Sequence, residues 1–190
     1  MDKILIVSGS ESDSAAIISL MKDIFPESSI SMADTGLNAK SIIPKNSYDA
    51  VIINCPLPDE YGFEVAELVS DSSDASCIMI VKSTNADTIG QRVEDLGIMV
   101  IPKPLNRKLF FHLMKFISAS RQRFLGLQAE NIKLQKKLEE IKIIKRAKLA
   151  LMQYLKFTEQ QAHKYLEKQA MDLRCTKKEV ALKIIKTYEN

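Results

Sequence analysis

The sequence predicts an α/β domain built on a five-stranded parallel sheet, then one very long coiled-coil helix and a small all-α three-helix bundle. Three observations carry this expectation. Short apolar runs at residues 4–7, 50–53, 77–81 and 98–101 are separated by helical segments, the pattern of a parallel sheet covered on both faces. Between Leu105 and Phe157 there is no proline and a single glycine, Gly126. Behind that span, Thr158 with Gln161 and Thr176 with Glu179 form two capping boxes, each opening a short helix.

The elements follow in chain order. Residues 4–7 are the first strand, 15–24 a helix, and a short strand near 29–32 joins the runs at 50–53, 77–81 and 98–101 to make five. In such a sheet the working residues sit at the carboxyl ends of the strands. At 190 residues and 46% apolar content the chain holds one ordinary domain plus a smaller one. No apolar run approaches a membrane span, and Met1-Asp2-Lys3 leads directly into a strand, so a soluble cytoplasmic protein without a membrane partner is expected. Cys55, Cys77 and Cys175 are odd in number and widely spaced, which argues against a disulfide framework or a zinc site. They are expected as buried or incidental thiols.

At the strand ends stand Ser8-Gly9, then Asn54 with Pro58 and Gly62 behind it, and Lys103-Pro104. Residues 1–119 thereby resemble a response-regulator receiver domain of flavodoxin-like fold. A receiver carries an aspartate that accepts a phosphoryl group and two acids that hold a magnesium ion, and the resemblance places Asn54, Ser8 and Gly9 at those positions. An amide cannot form an acyl phosphate, and a hard cation is left without carboxylates. A pseudo-receiver that is not phosphorylated is therefore expected within two-component signalling. The hydroxyl residue after the fourth strand corresponds to Lys82 or Ser83. Glu11 and Asp13 are expected as exposed helix-start residues. Lys103, without a phosphoryl partner, is expected to bond Asn54 or a neighbouring carbonyl. The domain is either a sensor answering a regulatory protein or small molecule, or a scaffold for dimerisation; the Asn54 crevice favours partner control.

From Asn106 onward a heptad pattern runs through Phe110, Leu113, Ile117, Ser120, Phe124, Leu127, Asn131, Leu134, Leu138 and Ile141. Residues 106–142 are thus expected as a connecting coiled-coil helix whose stalk, from Phe124 to Ile141, forms a homodimer. Asn131 at an a position favours a two-stranded parallel register. The pairs Arg123 with Gln128, Glu130 with Gln135 and Lys137 with Lys142 offer no attraction in that register. Antiparallel pairing or packing within one chain stays open.

Three apolar stripes follow, Ile144-Ala147-Leu151-Leu155, Ala162-Tyr165-Leu166-Gln169-Ala170 and Val180-Ala181-Ile184-Tyr188, enough for a three-helix bundle. The charge is divided as well. Residues 1–120 carry 10 basic and 16 acidic groups, whereas residues 121–190 carry 17 and 8. A polyanion is therefore expected to meet the second part only.

Ala147-Lys148, Leu151-Met152, Thr158, Ala162, Leu166, Ala170-Met171, Arg174 and Val180-Ala181 resemble the ANTAR domain, the RNA-binding module of bacterial transcription antiterminators, over residues 125–186. The resemblance implies a dimer that binds paired hairpin loops in a nascent leader transcript and prevents an overlapping terminator stem from forming. Lys145, Arg146, Lys148, Arg174, Lys177 and Lys178 are the expected RNA contacts, with Lys148 and Arg174 foremost because they are polar members of the pattern. Phe157, Tyr165 and Tyr188 are expected in the core, and His163 in a surface or packing role. A DNA-binding regulator and a signalling adaptor using the same basic module are the alternatives. Neither a cofactor nor a metal is expected, and a catalytic role is disfavoured: there is no phosphate-cradling glycine loop and no nucleophile–histidine pairing.

Overall fold

The computed structural model describes residues 1–188, which form two compact units, one spanning Met1–Arg123 and one beginning at Phe124. The first alternates strands and helices: β1 (Lys3–Val7), α1 (Glu11–Ile24), β2 (Ser29–Ala33), α2 (Gly36–Ile42), β3 (Ala50–Asn54), α3 (Phe63–Ser72), β4 (Ser76–Lys82), α4 (Ala86–Val93) and β5 (Met99–Lys103). All five strands are parallel, in the order β2-β1-β3-β4-β5.

Side chains alternate across the pleat, so each apolar run feeds two cores. Leu5, Val7, Val51, Ile53, Met79 and Val81 pack with α2, α3 and α4 on one face; Ile4, Ile6, Ile52, Ile78 and Ile80 pack with α1 on the other. The second face is closed by α5 (Arg107–Leu155), whose Phe110, Met114 and Ile117 are buried in that core. Full burial of side chains this size stabilises by about 1.5–3 kcal/mol each. Gly62 caps α3 at φ 109, where a Cβ would come within 2.9 Å of Ile53, so glycine is the residue the turn accommodates.

Within the second unit, α5 continues to Leu155 and is followed by α6 (Glu159–Asp172) and α7 (Lys177–Tyr188). Both capping boxes form. The Thr158 N–H donates to Gln161 Oε1 at 2.8 Å while the Gln161 N–H donates to Thr158 Oγ1 at 3.2 Å, and Thr176 with Glu179 repeats the exchange at 2.8 and 3.2 Å. Such caps are worth about 1 kcal/mol. The bundle core is Ala147, Ala150, Leu151, Ala162, Leu166, Ala170, Val180, Ala181 and Ile184. Two expected members are displaced. Leu155 is 39% exposed because α5 ends there, and Lys156 turns the chain with φ 57. Tyr165 is 37% exposed and meets the Phe157 ring edge-on at 5.8 Å, outside the buried stripe.

Ahead of the bundle, Phe124, Leu127, Leu134, Leu138 and Ile141 are each more than half exposed, and Asn131 lies exposed among them. Among the described residues no helix is long and apolar enough to cross a membrane.

Candidate functional site

The ends of β1, β3 and β5 meet around Asn54. This residue closes β3 and is 3% exposed, so its amide must find partners inside the protein. Its Nδ2 donates to Ser8 Oγ at 2.9 Å and to Asp13 Oδ2 at 3.0 Å. Lys103, at the end of β5, donates to Asp13 Oδ2 at 3.4 Å and to the Cys55 carbonyl at 3.3 Å. The lysine thus bonds a neighbouring carbonyl, one of the two expected arrangements. Both strand-end peptide bonds, Cys55-Pro56 and Lys103-Pro104, are cis. Asn54 Oδ1 has no hydrogen-bond partner among the described residues, a burial cost of about 1–3 kcal/mol.

Asp13 corrects an expectation. It does lie in the first turn of α1, where Ser10 caps its N–H, yet its carboxylate reaches back to Asn54 and Lys103. Asp13 was legible as a helix-start residue, but not the direction in which that turn faces. Asn54 donating to the Asp13 carboxyl lowers its pKa below the ordinary value; partial burial opposes this, and the Lys103 charge adds to it. A lowered folded pKa means stability that is fully present above the ordinary carboxylate range, about pH 3.9, and lost as pH falls through the folded value. Carboxyl NMR is expected to show Asp13 titrating below that range in the wild type and closer to it in Asn54→Leu.

Residues Ser8, Gly9 and Asn54 do not fit a hard divalent cation. The nearby carboxylate of Asp13 is already engaged by an amide and an ammonium. Position 9 is also closed sterically: a Cβ there would stand 2.2 Å from Pro58 Cγ and 2.6 Å from Pro58 Cδ, atoms of a stiff ring. Gly9→Asp is therefore expected to destabilise the domain by about 1–3 kcal/mol in thermal or denaturant unfolding, the usual cost of overpacking. At the end of β4, Lys82 stands in register beside Lys103, and Ser83 opens the turn that follows. Burial pushes the Cys55 thiol up to about 12, so it offers no thiolate here.

In the second unit, the expected polyanion contacts divide into two groups. Lys148 is only 19% exposed and its Nζ lies 2.7 Å from Glu159 Oε1, so it ties α5 to the start of α6. The Lys177 Nζ lies 2.6 Å from Glu167 Oε1, joining α7 to α6, and His163 Nε2 lies 3.3 Å from the same carboxylate oxygen. These two lysines are first of all tertiary ion pairs. Lys145, Arg146, Arg174 and Lys178 are exposed, and the Lys145 charge also acts on the Glu159 carboxyl, which Lys148 holds.

The backbone around Arg174 is informative. Its N–H donates to the Met171 carbonyl at 3.2 Å and that of Cys175 to the Ala170 carbonyl at 3.0 Å, the Schellman closure of a helix. Arg174 occupies the left-handed position of this motif with φ 49. Glycine is the unstrained residue there, and a long cation holds the position instead. At the other end of the bundle, Tyr154 and Tyr188 stack with centroids 5.4 Å apart.

Comparison with known proteins bears on both units. Residues 133–185 match the ANTAR domain model. Over 156 residues the chain is 25% identical to "Transcriptional regulatory protein PdtaR" of Mycobacterium tuberculosis (strain CDC 1551 / Oshkosh), covering 82% of this chain and 76% of that protein. A two-component response regulator from Clostridium difficile is similar in structure, with a TM-score of 0.56 and 21% identity over 63% of this chain and 97% of that one. The non-phosphorylated HemR receiver domain from Leptospira biflexa gives 0.54 and 24% over 62% and 94%. The chain therefore joins a domain of receiver fold to a C-terminal ANTAR domain.

Proposed function

We propose that this chain is an RNA-binding transcription antitermination regulator, acting as a dimer on a leader RNA with two hairpins and controlled by a receiver-like domain that is not phosphorylated. The observation that carries the reading is the ANTAR domain match over residues 133–185, with Lys145, Arg174 and Lys178 exposed. Cations in that state are available to phosphates and to the edges or faces of unpaired bases.

Dimerisation supplies the second part. A stripe of large apolar residues at three-four spacing, each more than half exposed, is what a coiled-coil seam presents before pairing. Joining two modules turns two weak hairpin contacts into one strong one through effective concentration. The domains divide the work as residues 1–119 for input, 106–142 for the stalk and 125–186 for RNA. Holding back a terminator stem requires binding and positioning only, with no covalent step.

The strand ends support control without phosphorylation. Asn54 has no carboxylate to phosphorylate, and Gly9 has no room for one that would hold a metal. Incubation with acetyl phosphate and magnesium is expected to leave the intact mass of the wild type unchanged. Asn54→Asp restores an acceptor but not the metal site, and is expected to label poorly as well.

The reading is tested by titrating the protein onto a two-hairpin RNA, a one-hairpin RNA and a duplex DNA of equal length over a range of salt. Tight binding to the two-hairpin RNA above the others supports it. Equal binding to all three, falling steeply with salt, would leave only a nonspecific polyanion surface. Preference for the duplex would favour a DNA-binding regulator.

A further inference from the structure

At the strand ends of the receiver-like domain lies an open cavity of about 820 Å³. Ile17 and Leu20 of α1, Ile80 of β4 and Leu105 behind β5 give it an apolar wall. Asn54, Lys103, Lys82, Ser83 and Asp13 supply its polar lining.

The charges of this lining point to a ligand, because they are unbalanced. Asp13 is matched by Lys103 at 3.4 Å, whereas Lys82 has no carboxylate within ion-pair distance among the described residues. One uncompensated cation beside an apolar wall selects an anion with a hydrophobic body.

We infer that this cavity binds a small amphipathic anion. Its anionic head sits with the Lys82 ammonium and the Ser83 hydroxyl, and its body covers Ile17, Leu20 and Leu105. Occupancy of this cavity takes the place of phosphorylation as the input of the domain. The inference rests on the reading of that domain as phosphorylation-independent.

The test is a titration of the full chain with 8-anilinonaphthalene-1-sulfonate, which combines a sulfonate, an N–H and aromatic rings, read by fluorescence and by backbone amide shifts. Saturable binding is expected, with shifts concentrated at residues 13–20, 80–84 and 103–105. Ala16→Trp, at an exposed position of α1 that borders the cavity, and Lys82→Glu, at an exposed strand end, are each expected to weaken it by about tenfold or more. N-phenyl-1-naphthylamine, the same body without the sulfonate, is expected to bind about tenfold weaker than the dye. Leu134→Glu with Leu138→Glu, in the other unit, is expected to leave the titration unchanged.

Undiminished binding in both Ala16→Trp and Lys82→Glu would overturn the inference, since the dye would then be reporting general apolar surface. Competition by inorganic phosphate at the affinity of the dye would overturn it too, by showing a simple anion site. Loss of binding in Ala16→Trp counts as support only with Lys82→Glu weakened as well, which separates blockage from misfolding. Failure of the titration while acetyl phosphate leaves the mass unchanged removes the ligand and keeps the phosphorylation-independent domain. Labelling by acetyl phosphate removes that reading itself.

Discussion

Replacing Leu134 and Leu138 together by glutamate is expected to convert a dimer of this chain into monomers. Its affinity for a two-hairpin RNA should then fall by about 10²- to 10⁴-fold, with affinity for a single hairpin unchanged. Both leucines are more than half exposed and neither belongs to the bundle core, so each chain keeps its fold. Within a paired seam the same positions are buried, where each leucine contributes about 1.5–3 kcal/mol and each carboxylate would be left without a partner. Sedimentation reads the first effect and filter binding the second. A monomer that still distinguished two hairpins from one would separate the stalk from RNA recognition.

The second large effect concerns the exposed cations. Arg174→Gly combined with Lys145→Ala and Lys178→Ala is expected to lower RNA affinity by about 10²-fold and to flatten the salt dependence by roughly two to three contacts. Arg174→Gly alone has opposite effects on folding and on binding. Glycine relieves the left-handed backbone at φ 49, so the bundle should gain about 1 kcal/mol in stability while RNA binding weakens. A variant that folds better and binds worse cannot be explained by loss of structure. Lys148→Ala behaves differently: it removes the ion pair to Glu159, so whatever it does to RNA binding comes with a change in bundle stability.

The elements that were legible in the sequence are those whose physics is local or periodic. The runs at residues 4–7 and 50–53 read as strands because they are buried on both faces, and the two threonine boxes marked where α6 and α7 begin. The exposed stripe from Phe124 to Ile141 followed from spacing alone. Strand ends were harder: Lys82 and Pro102-Lys103 extend β4 and β5 beyond their apolar runs, because pairing there is made by the backbone. Asp13 could not be assigned, since its partners Asn54 and Lys103 lie 41 and 90 residues away. Lys148 and Lys177 looked like free cations for a similar reason. Their carboxylates stand 11 and 10 residues away on a neighbouring helix, outside the reach of any i,i+4 rule. The closed space at Gly9 was likewise invisible, because Pro58 fills it from another loop.

The decisive measurement is transcription in vitro from a template whose leader carries two hairpins overlapping a terminator, with purified polymerase and increasing amounts of this protein. Read-through is expected to rise with protein, to require both hairpins, and to disappear with Leu134→Glu/Leu138→Glu and with the triple cation variant. Termination that stays constant while the protein is bound to the leader would contradict antitermination and leave an RNA-binding protein with another output.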